Sequence, residues 1–374
     1  MAEAITVSAP VSGTDKTLTF ETGVLAPQSQ GAVVAGMGDT RALVTANGAA
    51  HTREGIDFFP LTVDVEEKMY AIGKIPGSFF RREGRPTDEA VLTCRLIDRP
   101  LRPSFADGYR NETQVVATII GADHIHPHDV VAMNGASAAL MLSGLPFDGP
   151  IGAVRLAYSV DGEWVPHPTF TELEEATFQL VVAGRAVGDD VAIMMVEGNG
   201  TEKAWTFYEE GAPKVTEEVI AEGLEACKTW IGESIALQRE LVEKAGQRPA
   251  LVWESQLDYS DEVLAAVEAF SAEIATANSG ADKTERNAAT SALKDRILAE
   301  LTAEGQAFEG QAKQVSNAVR AVTKKVIRKR LVDEGVRIDG RGPRDLRTVT
   351  AEVGVVPTAH GTGLFQRGET QVLN

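Results

Sequence analysis

Cysteine is nearly absent from this chain. Cys94 and Cys227 are its only two, they stand far apart in apolar or helical text, and no CxxC pair occurs, so neither a disulfide framework nor a zinc ribbon is indicated. A reducing compartment fits. Long apolar runs are missing as well, with nothing near the roughly 18 consecutive apolar residues of a membrane span. The opening Met-Ala-Glu-Ala-Ile-Thr-Val has neither the basic nor the apolar region of a secretory signal. A cytoplasmic protein without a membrane partner is expected. Walker and Rossmann glycine signatures and the HExxH pattern are also absent, which removes nucleotide-cofactor and zinc-protease readings. Positive charge is scarce: 36 Lys and Arg face 54 Asp and Glu, a net charge of −18, which excludes a chain that grips a polyanion over its whole surface. Any polyanion site must be local. The excess acid is concentrated in residues 201–310, with 22 acidic and 10 basic side chains.

At 374 residues the chain is too long for one core and suggests two or three domains. Residues 1–212 read as an α+β domain. Short strands at 18–20, 32–35 and 42–45, the last two joined by a Gly38-Asp39 hairpin signal, lead to strands at 59–65 and 115–120. Between these, Thr87 can cap a helix whose first turn carries Asp88 and Glu89, and Pro100 should end it near Asp98. A small-residue helix at 129–142 precedes strands at 151–160 and 178–196, with turns at Asp161-Gly162 and Asn199-Gly200. Residues 213–332 then read as all-α. Ile220, Leu224, Cys227 and Ile231 mark one face of an amphipathic helix, and further helices are expected at 262–277, 282–304 and 312–332.

Residues 333–374 repeat the beginning of the chain. Gly354, Gly361 and Gly368 stand in the same context as Gly23, Gly31 and Gly38, at an offset of 331 for the first and 330 for the others, so one deleted residue aligns the copies. A duplicated α+β domain interrupted by helices follows. The second copy stops after its first strands, and the chain is read as a fragment.

The chemistry concentrates in residues 77–105. Phe79 and Phe80 stand against Arg81 and Arg82 inside a glycine-bounded loop, and Arg95, Arg99 and Arg102 follow. Aromatic faces stack unpaired bases at roughly 1–3 kcal/mol each, and guanidinium forks take phosphate oxygens, so this is single-strand RNA chemistry. The plain alternative has the phenylalanines tucked into the core and the arginines solvated or paired with Asp88, Glu89 and Asp98. Three further features each carry two readings. His124, His126 and His128 could hold a transition metal or simply line a loop leading into a helix. Gly135-Ala136-Ser137 could cradle phosphate, although close helix packing accounts for it better. Lys313, Arg320, Lys324, Lys325, Arg328, Lys329 and Arg330, with no acid before Asp333, form a connector or a second RNA-tracking surface.

From Asp57-Phe58-Phe59-Pro60-Leu61-Thr62-Val63 through Pro103, and again at Met133-Asn134-Gly135-Ala136-Ser137-Ala138-Ala139-Leu140 and Arg337-Ile338-Asp339-Gly340-Arg341, the chain resembles the N-terminal half of the bacterial polynucleotide phosphorylase family. The resemblance implies an RNase PH-like α+β domain over 1–212, an all-α domain over 213–332 and the start of a second RNase PH-like domain over 333–374. It implies a polyribonucleotide nucleotidyltransferase, a phosphorolytic 3′-to-5′ exoribonuclease that releases nucleoside diphosphates in mRNA degradation. Inorganic phosphate would be its co-substrate and Mg2+ its metal. Family members form homotrimers in which three Phe-Phe-Arg-Arg loops line a constriction for the RNA 3′ end, and they join ribonuclease E in degradation complexes. Phe79, Phe80, Arg81, Arg82, Arg95, Arg99 and Arg102 are the RNA-binding residues so implied. The family keeps its phosphate-binding serines and metal-binding aspartates in the second domain, expected beyond Asn374, so no catalytic or metal residue is assigned and the fragment alone is expected to be inactive. The alternative is a non-catalytic RNA-binding or scaffold subunit of the same fold.

Overall fold

A computed structural model describes all residues except 1–3, 54, 78, 80 and 81. The chain forms two compact units, Met1–Gln256 and Leu257–Asn374.

In the first unit the amino-terminal alternation becomes a six-stranded sheet. Its strands are β1 (Ile5–Pro10), β2 (Thr17–Thr22), β3 (Gly31–Met37), β4 (Thr40–Gly48), β5 (Leu61–Glu67) and β6 (Thr113–Gly121), in the order β1-β2-β3-β4-β6-β5. All pairs are antiparallel except β5 with β6. A parallel pair needs a crossover, and α1 (Asp88–Leu101) supplies it. Gly38 provides the positive φ, 56°, that the two-residue loop between Met37 and Thr40 needs at its first position. Thr87 caps α1 through its hydroxyl, which accepts from Ala90 N at 3.0 Å. The helix runs three residues past the expected stop at Asp98. Pro100 falls in its last turn, where its missing N–H forfeits one bond, and its carbonyl is used by Ser104 Oγ at 3.0 Å.

A second sheet has the order β10-β9-β7-β8, from β7 (Ile151–Ser159), β8 (Trp164–Pro166), β9 (Ala176–Val187) and β10 (Asp190–Gly200). Short helices α3 (Phe170–Glu174) and α4 (Ala204–Glu209) decorate it. Asn199-Gly200 lies at the end of strand β10 instead of forming a turn; the β9–β10 hairpin turns at Gly188-Asp189, where Gly188 supplies a φ of 60°.

Between the sheets lie α2 (Asp129–Ser143) and α5 (Glu217–Ala245), which touch strands of both. Thirteen of the 15 residues of α2 are buried, so this helix is apolar all round because both its sides face a sheet. The Gly-Ala-Ser run serves packing: a Cβ on Gly135 would come within 2.9 Å of Ala35 and Val44. Ser137 Oγ accepts from Ile151 N at 2.8 Å, and Asn134 exchanges two hydrogen bonds with the backbone of Ala153, at 2.8 and 2.9 Å. Gln238 of α5 donates to Ile151 O at 2.9 Å. Side chains of two helices thus satisfy the part of β7 that β8 does not reach. The expected first region closes at 212, whereas α5 packs inside the first unit. It does so by two stripes, Ile231 and Ile235 on the second sheet's core and Leu237 and Leu241 on the first's.

The second unit contains α6 (Asp261–Glu268), α7 (Ser271–Ala277), α8 (Lys283–Thr302) and α9 (Ala312–Glu334) around Val263, Val267, Ile274, Ile297, Val315 and Val322. The single helix expected over 262–277 breaks at Ala269-Phe270, where the Phe270 ring packs on this core. Strands β11 (Val349–Val353), β12 (Gly363–Arg367) and β13 (Thr370–Leu373) complete the unit as an antiparallel sheet. Their registers reproduce the first copy. Val349 pairs with Arg367 as Leu18 does with Met37, and Arg367 with Thr370 as Met37 does with Thr40.

Candidate nucleic-acid interface

The aromatic-arginine loop leaves β5 through a 3-10 turn at Met69–Ile72 and returns at the Thr87 cap. Two glutamates fasten its stem. Glu83 Oε1 accepts from Met69 N at 2.7 Å, and Glu67 Oε2 accepts from the Thr87 hydroxyl at 2.7 Å. The Glu66 carboxylate, 2.7 Å from Lys68 Nζ, holds that ammonium's pKa above its ordinary value. Gly73, with a φ of 69°, makes the outward bend. Gly77 and Gly84, the glycines that bound the loop, have neither positive φ nor crowding at Cβ.

At the tip, Phe79 is 75% exposed, so the reading that tucks it into the core does not hold. The Arg82 guanidinium carbon lies 5.7 Å from the Phe79 ring centroid, a cation–π distance. Phe80 and Arg81 lie outside the described residues.

The α1 arginines separate into three situations. Arg95 is exposed and forms no ion pair among the described residues. Arg99 is ion-paired with Glu197 of β10 and donates to Val196 O at 3.3 Å. Arg102 is fully engaged: it holds Asp98 through two bonds of 2.9 and 2.7 Å and the carbonyls of Phe59 and Leu61 at 3.0 Å each. The continuation of α1 through Pro100 is what puts Asp98 and Arg102 one turn apart.

Behind the loop stem opens a cavity of about 560 Å3, lined among others by Lys68, Arg82, Arg85, Glu66, His126 and His128. Arg85, three residues from Arg82, and Lys68, beyond the other end of the loop, were not singled out in the sequence, and both line this cavity with Arg82. The three histidines have structural surroundings. Asp123 receives His126 Nδ1 at 2.7 Å, the amides of Ile125 and His126 at 2.8 Å and the Thr40 hydroxyl at 3.0 Å. Burial pushes the Asp123 carboxyl up, but these hydrogen bonds outweigh it and hold it well below the usual carboxylate range. His128 Nε2 lies 3.2 Å from Glu67 Oε1, and His124 adopts a φ of 59° where the chain turns towards α2. Among the described residues no three His, Cys, Asp or Glu side chains are gathered for a metal ion. Burial raises the Cys94 thiol and pushes Cys227 up to about 11, so both stay protonated near neutrality.

The two-sheet unit is of RNase PH type: residues 14–146 match the 3′ exoribonuclease family, domain 1. Residues 262–342 match the polyribonucleotide nucleotidyltransferase RNA binding domain. The polyribonucleotide nucleotidyltransferase of Saccharopolyspora erythraea is 53% identical over 368 residues, covering 96% of this chain and 48% of the relative. That of Acidothermus cellulolyticus is 54% identical over 96% of this chain and 45% of its own length, and that of Parafrankia sp. 53% identical over 100% and 50%. A solved structure of rice Rrp46 superposes with a TM-score of 0.45 at 16% identity over 62% of this chain and 97% of its own, too distant a likeness to add to the reading. The chain belongs to the polyribonucleotide nucleotidyltransferase family, and it spans about half the length of the curated relatives it matches.

Proposed function

We propose that this chain supplies the RNA-threading part of a phosphorolytic 3′-to-5′ exoribonuclease that acts in mRNA degradation. The observation that carries the reading is the exposed Phe79 ring beside the Arg82 guanidinium on a loop whose stem is fixed by Glu83 and Glu67. Phe79 and Arg82 there offer a base a stacking face and a phosphate a fork. Phe79 and Phe80 stack bases, and Arg81, Arg82 and Arg95 take phosphates. Arg99 joins them by exchanging Glu197 for RNA. Arg102, already saturated, fixes the strand carbonyls beneath the loop.

In the reaction, a phosphate oxygen forms a bond to the terminal phosphorus of the RNA and the P–O3′ bond breaks. The shortened strand keeps that oxygen, takes a proton and becomes a 3′-hydroxyl, and a nucleoside diphosphate leaves. Magnesium belongs to the whole enzyme in this reading, as do the homotrimer, the cytoplasmic location and any ribonuclease E partner. The described residues gather no donor set for that metal, so no step is assigned to it here.

Anisotropy titration of a labelled oligoadenylate tests the loop. Phe79→Ala with Phe80→Ala should weaken binding by roughly 1–3 kcal/mol per base lost with an unchanged salt slope. Arg81→Gln with Arg82→Gln should flatten the slope by about 0.7 for each lost phosphate contact. If both double variants bind like the parent, the loop does not touch RNA.

A further inference from the structure

We propose that Glu67 is a positioning residue for RNA binding: its carboxylate holds together the two feet of the aromatic-arginine loop and so sets where Phe79 and Arg82 stand. The inference rests on the RNA reading of that loop and adds a residue that touches no RNA itself. Glu67 is the last residue of β5, where the chain departs into the loop, and Thr87 is the cap of α1, where it returns. The 2.7 Å bond from the Thr87 hydroxyl to Glu67 Oε2 therefore closes, at its base, an excursion between residues 20 positions apart. Breaking it frees one foot. The other fastener, Glu83 Oε1 on Met69 N, joins residues 14 positions apart inside the same excursion, so it ties the loop only to itself.

Both partners of the base bond are braced. The Thr87 hydroxyl also accepts from Ala90 N at 3.0 Å, so α1 fixes its direction. The second oxygen of Glu67 stands 3.2 Å from His128 Nε2, with no hydrogen bond between them, and the carboxylate thus lies between the residues that begin α1 and α2. Charge alone argues the opposite effect. Glu67 lines the same cavity as Lys68, Arg82 and Arg85, and deleting it removes negative charge from a surface that must meet a polyanion. A residue acting only through its charge would, when removed, tighten RNA binding. Removing a positioning residue weakens it, because a smaller fraction of molecules then presents the loop in its binding geometry. The sign decides.

The test compares the whole chain with Glu67→Ala and Glu67→Gln by anisotropy of a labelled oligoadenylate and, without RNA, by the rate of trypsin cleavage after Arg82. Glu67→Ala should bind about threefold or more weakly, through the smaller competent fraction. It should also be cut in the loop about tenfold faster, the opening that one lost charge-assisted hydrogen bond allows, with no faster cutting elsewhere in the first unit. Glu67→Gln gives up the charge and keeps an oxygen for the Thr87 hydroxyl. It should therefore bind at least as tightly as the parent and be cut at the parent's rate. An alanine variant that binds as well as the parent or better, a glutamine variant no better than alanine, or unchanged cleavage overturns the proposal. Faster cleavage of Glu67→Ala beside a null result for the Phe79 and Arg82 variants would remove the RNA reading and leave only the clamp standing. Weakened binding by those variants with no response to Glu67→Ala removes this inference alone.

Discussion

The sheet β2–β3–β4 and its repeat β11–β12–β13 share strand registers and turn glycines but have opposite surroundings. In the first copy Phe20 and Ala35 are 0% exposed and Val33 1%; in the second Val353 is 89% exposed and Phe365 44%. The difference comes from what covers them. Helices α2 and α5 press on β2, β3 and β4, whereas among the described residues the second copy's sheet has no helix laid broadly across it, and Lys283 reaches it through an ion pair with Glu369 at 2.7 Å. Register and turns are therefore local properties that a short stretch of sequence can specify twice. Burial belongs to the neighbours.

The largest effect that would test this contrast is a truncation in each sheet. Phe20→Ala should destabilise the first unit by about 3–5 kcal/mol, while Phe365→Ala should cost less than about 1 kcal/mol. All four tryptophans, Trp164, Trp205, Trp230 and Trp253, lie in the first unit, so urea unfolding followed by tryptophan fluorescence reads the cost of Phe20→Ala, and amide exchange across β11, β12 and β13 reads that of Phe365→Ala. Equal costs in the two sheets would mean that the second is buried in solution. A sharper form uses equivalent glycines. A Cβ at Gly31 would stand 1.9 Å from Ala139 O, a backbone atom that cannot swing aside, and one at Gly361 would meet nothing within 4 Å. Gly31→Ala should cost about 3 kcal/mol, and Gly361→Ala close to nothing.

Burial also sets how the first unit responds to acid. His167 lies in the first unit with a φ of 46°, and burial, aided by the Lys16 charge, lowers its pKa from 6.5 to about 4. Between those values the unfolded chain binds the proton and the folded one does not, so stability is fully present above pH 6.5 and falls as pH drops towards 4. The loss amounts to about 1.4 kcal/mol per pH unit, or about 3 kcal/mol in all. Burial also opposes the Asp129 charge, but Arg155 outweighs it and depresses that carboxyl, so its contribution is lost at still lower pH. His167→Asn, which tolerates the positive φ, should flatten the fluorescence-monitored stability between pH 6.5 and 4.

Much of this arrangement was legible in the residues. The Gly38-Asp39 hairpin, the Thr87 cap and the repeat at Gly354, Gly361 and Gly368 are each written within a few neighbouring positions, where local chemistry decides. The exposed Phe79 beside Arg82 was legible for the same reason. What escaped depends on partners distant in sequence. For Arg102 the sequence left RNA contact and pairing with Asp98 both open, and only the continuation of α1 through Pro100 brings Asp98 beneath it. The membership of α5 in the first unit escaped because Ile231 and Leu241 serve two different sheets, and a single apolar stripe in sequence cannot say which. Lys68 joins Arg82 in the cavity only through the path of the loop.

The smallest predicted difference between the two copies lies at their hairpin turns. Gly38 and Gly368 occupy the same hairpin position with φ values of 56° and 60°, so an alanine at either must adopt a conformation that costs L-residues about 1–2 kcal/mol. At Gly368 that strain is nearly the whole cost, because the added Cβ would meet only the flexible Arg347 side chain, at 3.1 Å. At Gly38 it would also press on His126 Nδ1 at 2.5 Å and Asp123 Oδ2 at 2.6 Å, the pair that ties the loop before α2 to the hairpin. Gly368→Ala should therefore lower amide-exchange protection across β12 and β13 by about tenfold, the equivalent of roughly 1.4 kcal/mol. Gly38→Ala should cost more than that in fluorescence-monitored unfolding, and the additional His126→Ala should recover part of the excess by vacating the space. If Gly38→Ala alone proves no worse than Gly368→Ala, the hairpin is insulated from the Asp123 network, and the two copies differ in burial but not in how their turns are held.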